Sequence, residues 1–476
     1  MRDFPNMMDP DRLFPLDSRS RELARKLYES VSNLPIISPH GHTDPRWFAL
    51  NEPFPDPAQL FVTPDHYVFR MLYSQGVSLQ SLGVPQHNGG VDNSDVESDA
   101  RSIWRRFAQN FHLLRGTPSR MWLDHAFENV FGWSGRLSES TADEAFDHIN
   151  ECLARDEFRP RALFERFNIE ALSTTESPLD NLQWHKMIRD SGWSGKVITA
   201  YRPDPVVDPE YEGFIDNVAR LGELTGEDTF TWQGYLNAHL KRREYFIQFG
   251  ATSTDHGHLN ARTENLSQDE AARLFARVIS SDCNADEADA FRGQMLTEMA
   301  RMSQQDGLVM QIHPGAVRNH SADIFARFGR DKGFDIPSRT DYVHALKPLL
   351  EAVGNDPELT IILFTLDETS VSRELAPLAG AYPSLRLGPA WWFFDSPEGM
   401  RRFREAATET AGFYNTVGFN DDTRALCSIP ARHDVARRVD CSYLATLVTS
   451  GRLAQDEAFE VAHDLAYRLA KQAYRL

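Results

Sequence analysis

Cysteine is scarce in this chain: four residues in 476, Cys152, Cys283, Cys427 and Cys441, scattered and with no CxxC pair. That pattern excludes a disulfide framework and a cysteine-based zinc centre, and it suits reduced thiols in a cytoplasm. No apolar run is long enough to span a bilayer, and the opening residues Met1-Arg2-Asp3-Phe4-Pro5 carry no signal-peptide core. The expectation is a soluble cytoplasmic protein with no membrane partner. Positive charge is also short, with 50 Lys and Arg against 69 Asp and Glu for a formal charge of −19. Such a surface repels phosphate backbones and anionic lipid, which argues against nucleic acid as a partner. An anionic small-molecule substrate would need arginines gathered locally to override the field.

What is present is a large hydrophobic complement, 41% of the residues, enough for one large barrel or two domains. Short strand-like segments alternate with longer helical patterns. They are Leu34 to Ser38, Ile169 to Thr174, Lys196 to Ala200, Tyr245 to Thr252, Leu308 to Ile312, Leu359 to Phe364, Leu385 to Gly388 and Asn415 to Phe419. Runs such as Ala271 to Val278 and Thr340 to Leu346 read as amphipathic helices between them. Strands alternating with helices pair in parallel through crossovers, and eight of them close a (β/α)₈ TIM barrel; a doubly wound open sheet is the alternative. The reading is a single α/β barrel domain over residues 1–476, with a mostly helical insertion after strand one at residues 53–165. That insertion holds a polar, turn-rich stretch from Gln86 to Ser98.

The first strand-like run delivers His40-Gly41-His42. Residues i and i+2 of an extended chain face the same way, so both imidazoles can meet one metal. Two histidines in a surface Pro/Gly turn would look the same, and a second such tripeptide, His256-Gly257-His258, follows another strand-like run. Spacing does not choose between them. In a TIM barrel the chemistry sits at the C-terminal strand ends. There the chain places Arg202-Pro203-Asp204, Asp255-His256-Gly257-His258, His313-Pro314-Gly315 and Asn420-Asp421-Asp422-Thr423-Arg424. Two histidines want a carboxylate as third ligand, and Asp421 and Asp422 are both candidates. Asp65-His66-Tyr67 opens a helix after strand one, close enough for His66 and Tyr67 to reach the mouth.

Taken together these stretches resemble the uronate (glucuronate) isomerases of the amidohydrolase superfamily. The resemblance runs through Pro39-His40-Gly41-His42, Asp65-His66-Tyr67, Arg202-Pro203-Asp204, Asp255-His256-Gly257 and Gln311 to Asn319. It continues through Gly388-Pro389-Ala390-Trp391-Trp392-Phe393, Asp422-Thr423-Arg424, Arg432-His433-Asp434 and Arg437-Arg438. The resemblance implies one divalent metal, zinc in the first instance with manganese or cobalt as alternatives, on His40, His42 and Asp422. It implies proton transfer by Tyr67, supported by His66, with Asp422 as a further proton shuttle. Arg202, Asp255, His313 and Arg424 are implied to line a hexuronate site, with Arg424 clamping the carboxylate. Of the second tripeptide, only the neighbouring Asp255 takes a role.

The family reaction interconverts D-glucuronate with D-fructuronate, and D-galacturonate with D-tagaturonate, through a cis-enediol. The expected base is Tyr67, as a phenolate or assisted by His66. Superfamily hydrolases commonly bridge two metals with a carboxylated lysine; Lys196 begins its strand instead of ending it, which favours one metal. A metal-dependent hydrolase of a lactone or amide is the rival reading. Homo-oligomeric assembly is a further expectation from the resemblance.

Overall fold

The computed structural model describes residues 8–87 and 93–476. The chain forms β1 (Ile36–Ser38), β2 (Ile169–Glu176), β3 (Lys196–Tyr201), β4 (Ser253–His258) and β5 (Val309–Pro314), followed by a small antiparallel hairpin of β6 (Ala316–Val317) and β7 (Ile336–Pro337). It then adds β8 (Ile361–Leu363) and β9 (Leu385–Leu387). The main sheet is parallel throughout, in the order β1-β2-β3-β4-β5-β8-β9.

An eighth segment continues this sheet through one bridge, Leu387 to Thr416. There the Leu387 N–H donates to Asn415 O at 2.8 Å and the Val417 N–H to Leu387 O at 3.0 Å. The chain beyond it reaches the end of β1, where the His42 N–H donates to Thr423 O at 3.1 Å. First and last strands therefore meet, and the architecture is a (β/α)₈ barrel, not an open sheet. Gly41 permits that meeting, because a Cβ there would lie 3.2 Å from Thr423 O.

Strands covered on both faces read as apolar runs, and β5 is buried at every position. Polar side chains appear on the inward face near the mouth. In the β4–β5 register Asp255 sits beside Gln311 and Gly257 beside His313, so Asp255, Gln311 and His313 share the barrel interior.

The fourth strand differs from the sequence expectation. Tyr245 to Gln248 is the last turn of the helix Trp232–Gln248, and β4 starts only at Ser253. Tyr235, His239, Arg242 and Phe246 are buried at helical spacing, a period that a five-residue apolar run is too short to reveal. His256 consequently lies inside the strand and not beyond it. Its side chain points away from Asp255, with Nε2 2.9 Å from Thr254 Oγ1. Thr340 to Leu346 is likewise not helical: the helix begins at Lys347, and Tyr342 is held by its N–H to Glu374 and its hydroxyl to Phe364 O.

Between β1 and β2 stand the helices Pro45–Leu50, Pro57–Phe61, His66–Tyr73, Ala100–Asn110, Pro118–His125, Ala142–Leu153 and Pro160–Arg166, among others. Asp44, Asp56, Asp65, Asp99 and Thr117 cap five of them by accepting first-turn N–H groups. Trp104, Phe107, Phe111 and Phe127 are buried in their shared core, which is continuous with Ile36, Ile169, Leu172 and Val197 of the sheet. Each such aromatic contributes roughly 1.5–3 kcal/mol by leaving water. Part of the polar stretch from Gln86 to Ser98, residues 88–92, lies outside the described residues.

Candidate active site

The C-terminal strand ends converge on a cavity of about 340 Å³ lined by His40, His42, His66, Tyr67, Arg202, Asp255, His313, Asp422 and Arg424. Every residue to which the resemblance gives a role is thus brought to one place; Asp421, the other carboxylate candidate, is not in the lining, and its Oδ2 lies 3.0 Å from His433 Nε2. His40 and His42 present Nε2 atoms that each lie 3.4 Å from the same oxygen, Asp422 Oδ1. Donors bound at about 2.1 Å to one tetrahedral ion stand roughly 3.4 Å apart, so the three side chains have the spacing of a metal site. His40, Asp255 and His313 also cluster. There, however, His313 Nδ1 is only 2.7 Å from Asp255 Oδ1, closer than two donors on one ion stand, and Asp255 already pairs with Arg202. The first group fits a cation better. No lysine lines the cavity among the described residues, and Lys196 is the exposed first residue of β3.

Burial alone would raise the Asp422 carboxyl, but the charge that His40 and His42 can carry outweighs it and holds the group far below the usual carboxylate range. His42 is pushed down by burial to about 3. Burial also works against protonated His40, yet Asp422 and Asp255 raise it overall. This donor set calls for a positive charge between its members. The Trp391 indole N–H donates to the other Asp422 oxygen, fixing the carboxylate plane. Asp422 itself has φ +37°, a left-handed conformation of the sort stored at functional sites.

Tyr67 occupies the first turn of the helix His66–Tyr73, where the Asp65 carboxylate accepts its N–H at 2.8 Å. Its ring packs near Trp122 and Trp392, with the Arg432 guanidinium carbon 5.3 Å from its centroid. Burial first, and Asp395 second, lift the Tyr67 hydroxyl well above its ordinary value despite Arg432. His66 is held neutral by burial and then by Arg424. Asp395 accepts from Arg432 Nη1 at 3.0 Å, tying the loop after β9 to the helix Ile429–Thr449 behind Tyr67.

The arginines divide into two kinds. Arg202 is spent on protein carboxylates, with Nη1 to Asp255 Oδ2 at 3.0 Å and Nε to Asp204 Oδ2 at 2.8 Å. These contacts outweigh burial, so Asp255 remains ionised, well below its ordinary value. Arg424 faces the same cavity with no ion-pair or hydrogen-bond partner among the described residues. The Asp331 carboxylate in the same lining feels its charge, and Arg330, stacked over Tyr211, is likewise without an ion pair among the described residues.

Trp391, Asp395 and Arg432 stand out only in the structure. Trp391 and Arg432 lie in stretches that carry the family resemblance, but nothing in the sequence says which carboxylate each one holds. His256 and His258 join neither metal-type cluster among the described residues, and their rings are 6.3 Å apart.

Comparison with known proteins gives the family. A family model described as glucuronate isomerase matches residues 14–474. A uronate isomerase of Rhizobium meliloti (strain 1021) is 66% identical over 470 residues, covering 99% of each chain. The crystal structure of glucuronate isomerase from Caulobacter crescentus superposes with a TM-score of 0.96 at 59% identity, over 99% of this chain and 98% of that one. That of uronate isomerase from Thermotoga maritima gives 0.90 at 27% identity, over 98% and 99%. Barrel, strand-end residues and whole-length similarity lead to one conclusion: this chain belongs to the glucuronate isomerase family.

Proposed function

We propose that Asp422 and Tyr67 divide the proton traffic of the family's reaction, the aldose–ketose isomerisation of D-glucuronate to D-fructuronate and of D-galacturonate to D-tagaturonate. The enzyme acts on the open-chain sugar acid. Loss of the C2 proton turns the C2–H electron pair into the C1=C2 bond while the aldehyde oxygen gains a proton, giving the cis-enediol. Return of a proton to C1, as the C2 hydroxyl releases its own, gives the ketose; protons taken and given are equal. Accepting the first proton needs an unprotonated group within reach of the substrate, and the Asp422 carboxylate lines the cavity. Donating needs a group that keeps its proton, and Tyr67 does so. In this reading Tyr67 is a phenol that donates to the developing oxyanion, a change from the base, as a phenolate or assisted by His66, expected from sequence.

His40, His42 and Asp422 would hold one divalent metal, with zinc proposed on the donor set of two imidazoles and a carboxylate. When bound, it would polarise a substrate oxygen as a Lewis acid. His66 orients Tyr67, its ring lying 5.0 Å from the tyrosine ring. Asp255 and His313 orient substrate hydroxyls, and Arg424 clamps the carboxylate. Residues 53–165 act as the helical insertion that brings the His66–Tyr73 helix to the mouth. The reading includes a cytoplasmic location, supported by four free cysteines, and assembly into a homo-oligomer.

The observation that carries the proposal is Arg424, with no hydrogen bond or salt bridge among the described residues, in one cavity with the Asp422 carboxylate and the Tyr67 hydroxyl. Incubation with each uronate in deuterated water, followed by NMR, should show the ketose forming. A sugar acid left untouched would sink the isomerase reading and return the site to hydrolysis. Arg424→Lys should raise KM about tenfold with kcat changed only a few fold. Lysine supplies the charge but not the two parallel N–H donors, a loss on the order of 1–2 kcal/mol. An unchanged KM in steady-state assays would move the clamp to Arg330, which also faces the cavity.

A further inference from the structure

The barrel interior immediately beneath the site is joined by a hydroxyl that arrives from the opposite end. The helix Leu469–Ala473 delivers Tyr474, which is completely buried. Its hydroxyl donates to Gln311 Oε1 at 2.9 Å and accepts from Asn420 Nδ2 at 3.1 Å. Gln311 Nε2 continues the chain to Ser253 Oγ and Thr254 O, both at 3.3 Å. The direction of entry is fixed by Arg475, which donates to Gly307 O and Glu358 O just ahead of β5 and β8. Close approach is allowed by Gly418, where a Cβ would lie 2.7 Å from Leu465 O.

Gln311 and His313 are two residues apart on one face of β5, and Asn420 precedes Asp422 by two residues in the chain that follows the Leu387–Thr416 bridge. We propose that Tyr474 is a positioning residue for the metal and proton-transfer site, its hydroxyl linking β5 to the eighth segment and so setting where Asp422 stands relative to His313 and Asp255. The proposal rests on the reading of His40, His42 and Asp422 as the metal site.

Two features separate this from ordinary core packing. The hydroxyl uses one donor and one acceptor contact to join two buried amides, so a phenyl ring of the same shape would take this partner from Gln311 Oε1 and Asn420 Nδ2. It also acts across the barrel. The eighth segment is held to β9 by a single bridge and from the helix side by Arg404 to Gly418 O and Arg432 to Asp421 O, while Tyr474 holds it from the barrel interior. The carboxylates of Asp422 and Asp255 both act on the Tyr474 hydroxyl, after burial and the Asn420 hydrogen bond, which fits its place one layer below them.

The test compares Tyr474→Phe with Tyr235→Phe in the full-length protein. Tyr235 is an equally buried tyrosine whose hydroxyl donates to Val206 O at 2.6 Å, away from the barrel interior. Zinc affinity of the metal-stripped proteins is measured by competition with a chromophoric chelator, alongside kcat, KM and Tm. Tyr474→Phe should weaken zinc binding at least tenfold and lower kcat at least tenfold, with KM within threefold. Tyr235→Phe should lower Tm alone. Zinc affinity and kcat within twofold of wild type, or shifts no larger than those of Tyr235→Phe, would overturn the proposal. If Tyr474→Phe does not fold, Gln311→Met removes the same link from its other end and must give the same two shifts. Wild-type protein that neither holds zinc nor converts a uronate would overturn the reading of the site, and this proposal with it.

Discussion

Tyr67→Phe should cut turnover by about a hundred- to ten-thousandfold, the span of a positioned proton-transfer group, while KM moves only a few fold. The substitution removes one oxygen and leaves the ring among Trp122, Trp392 and Arg432. The packing that holds the helix His66–Tyr73 in place is therefore kept. In the proposed function substrate binding rests on Arg424 and the cluster of His40, His42 and Asp422, none of which the mutation touches. What goes is a hydroxyl that burial and Asp395 keep protonated. It becomes useful only when charge develops on the substrate oxygen, which is why the loss falls on kcat. Steady-state kinetics on both uronates measure it. Turnover within a few fold of wild type would remove Tyr67 from the chemistry.

Much of this site was readable in the sequence, because its polar residues stand where apolar strand runs stop. His40 and His42 follow Ile36–Ser38, and His313 closes β5. In such a barrel the mouth is a list of residues that end strands. β4 was misplaced for a local reason: the apolar run from Tyr245 to Phe249 belongs mostly to a helix, and the strand behind it is built from Ser253, Thr254, Asp255 and His256. A strand made of polar residues gives no hydrophobic signal.

Residues that act on other residues were also silent. Trp391 reaches Asp422 across 31 positions and Tyr474 reaches Gln311 across 163, distances at which a single sequence carries no pairing information. Charge state was hidden for a related reason. A tyrosine beside a metal-type cluster suggests a phenolate, whereas burial and Asp395 raise its hydroxyl.

Asp422→Asn should abolish metal retention and activity together while leaving the fold intact. The backbone at this position is left-handed, with φ +37°, a region asparagine enters as readily as aspartate. An asparagine can still accept from the Trp391 indole through its oxygen. What it lacks is the negative charge that faces His40 and His42 at 3.4 Å each and that makes their shared space attractive to a cation. Zinc affinity should fall by at least a hundredfold, and the proton acceptor goes with it. Trp391→Phe supplies the scale: removing only the partner that orients the carboxylate should cost about ten- to hundredfold in affinity. His256→Asn should change neither quantity, since that ring points to Thr254 and away from the cavity. Metal analysis of the three purified variants, with Tm measured alongside, decides the matter. Full zinc occupancy in Asp422→Asn would mean that the ion sits on another set of donors, and His40, Asp255 and His313 are the set that remains.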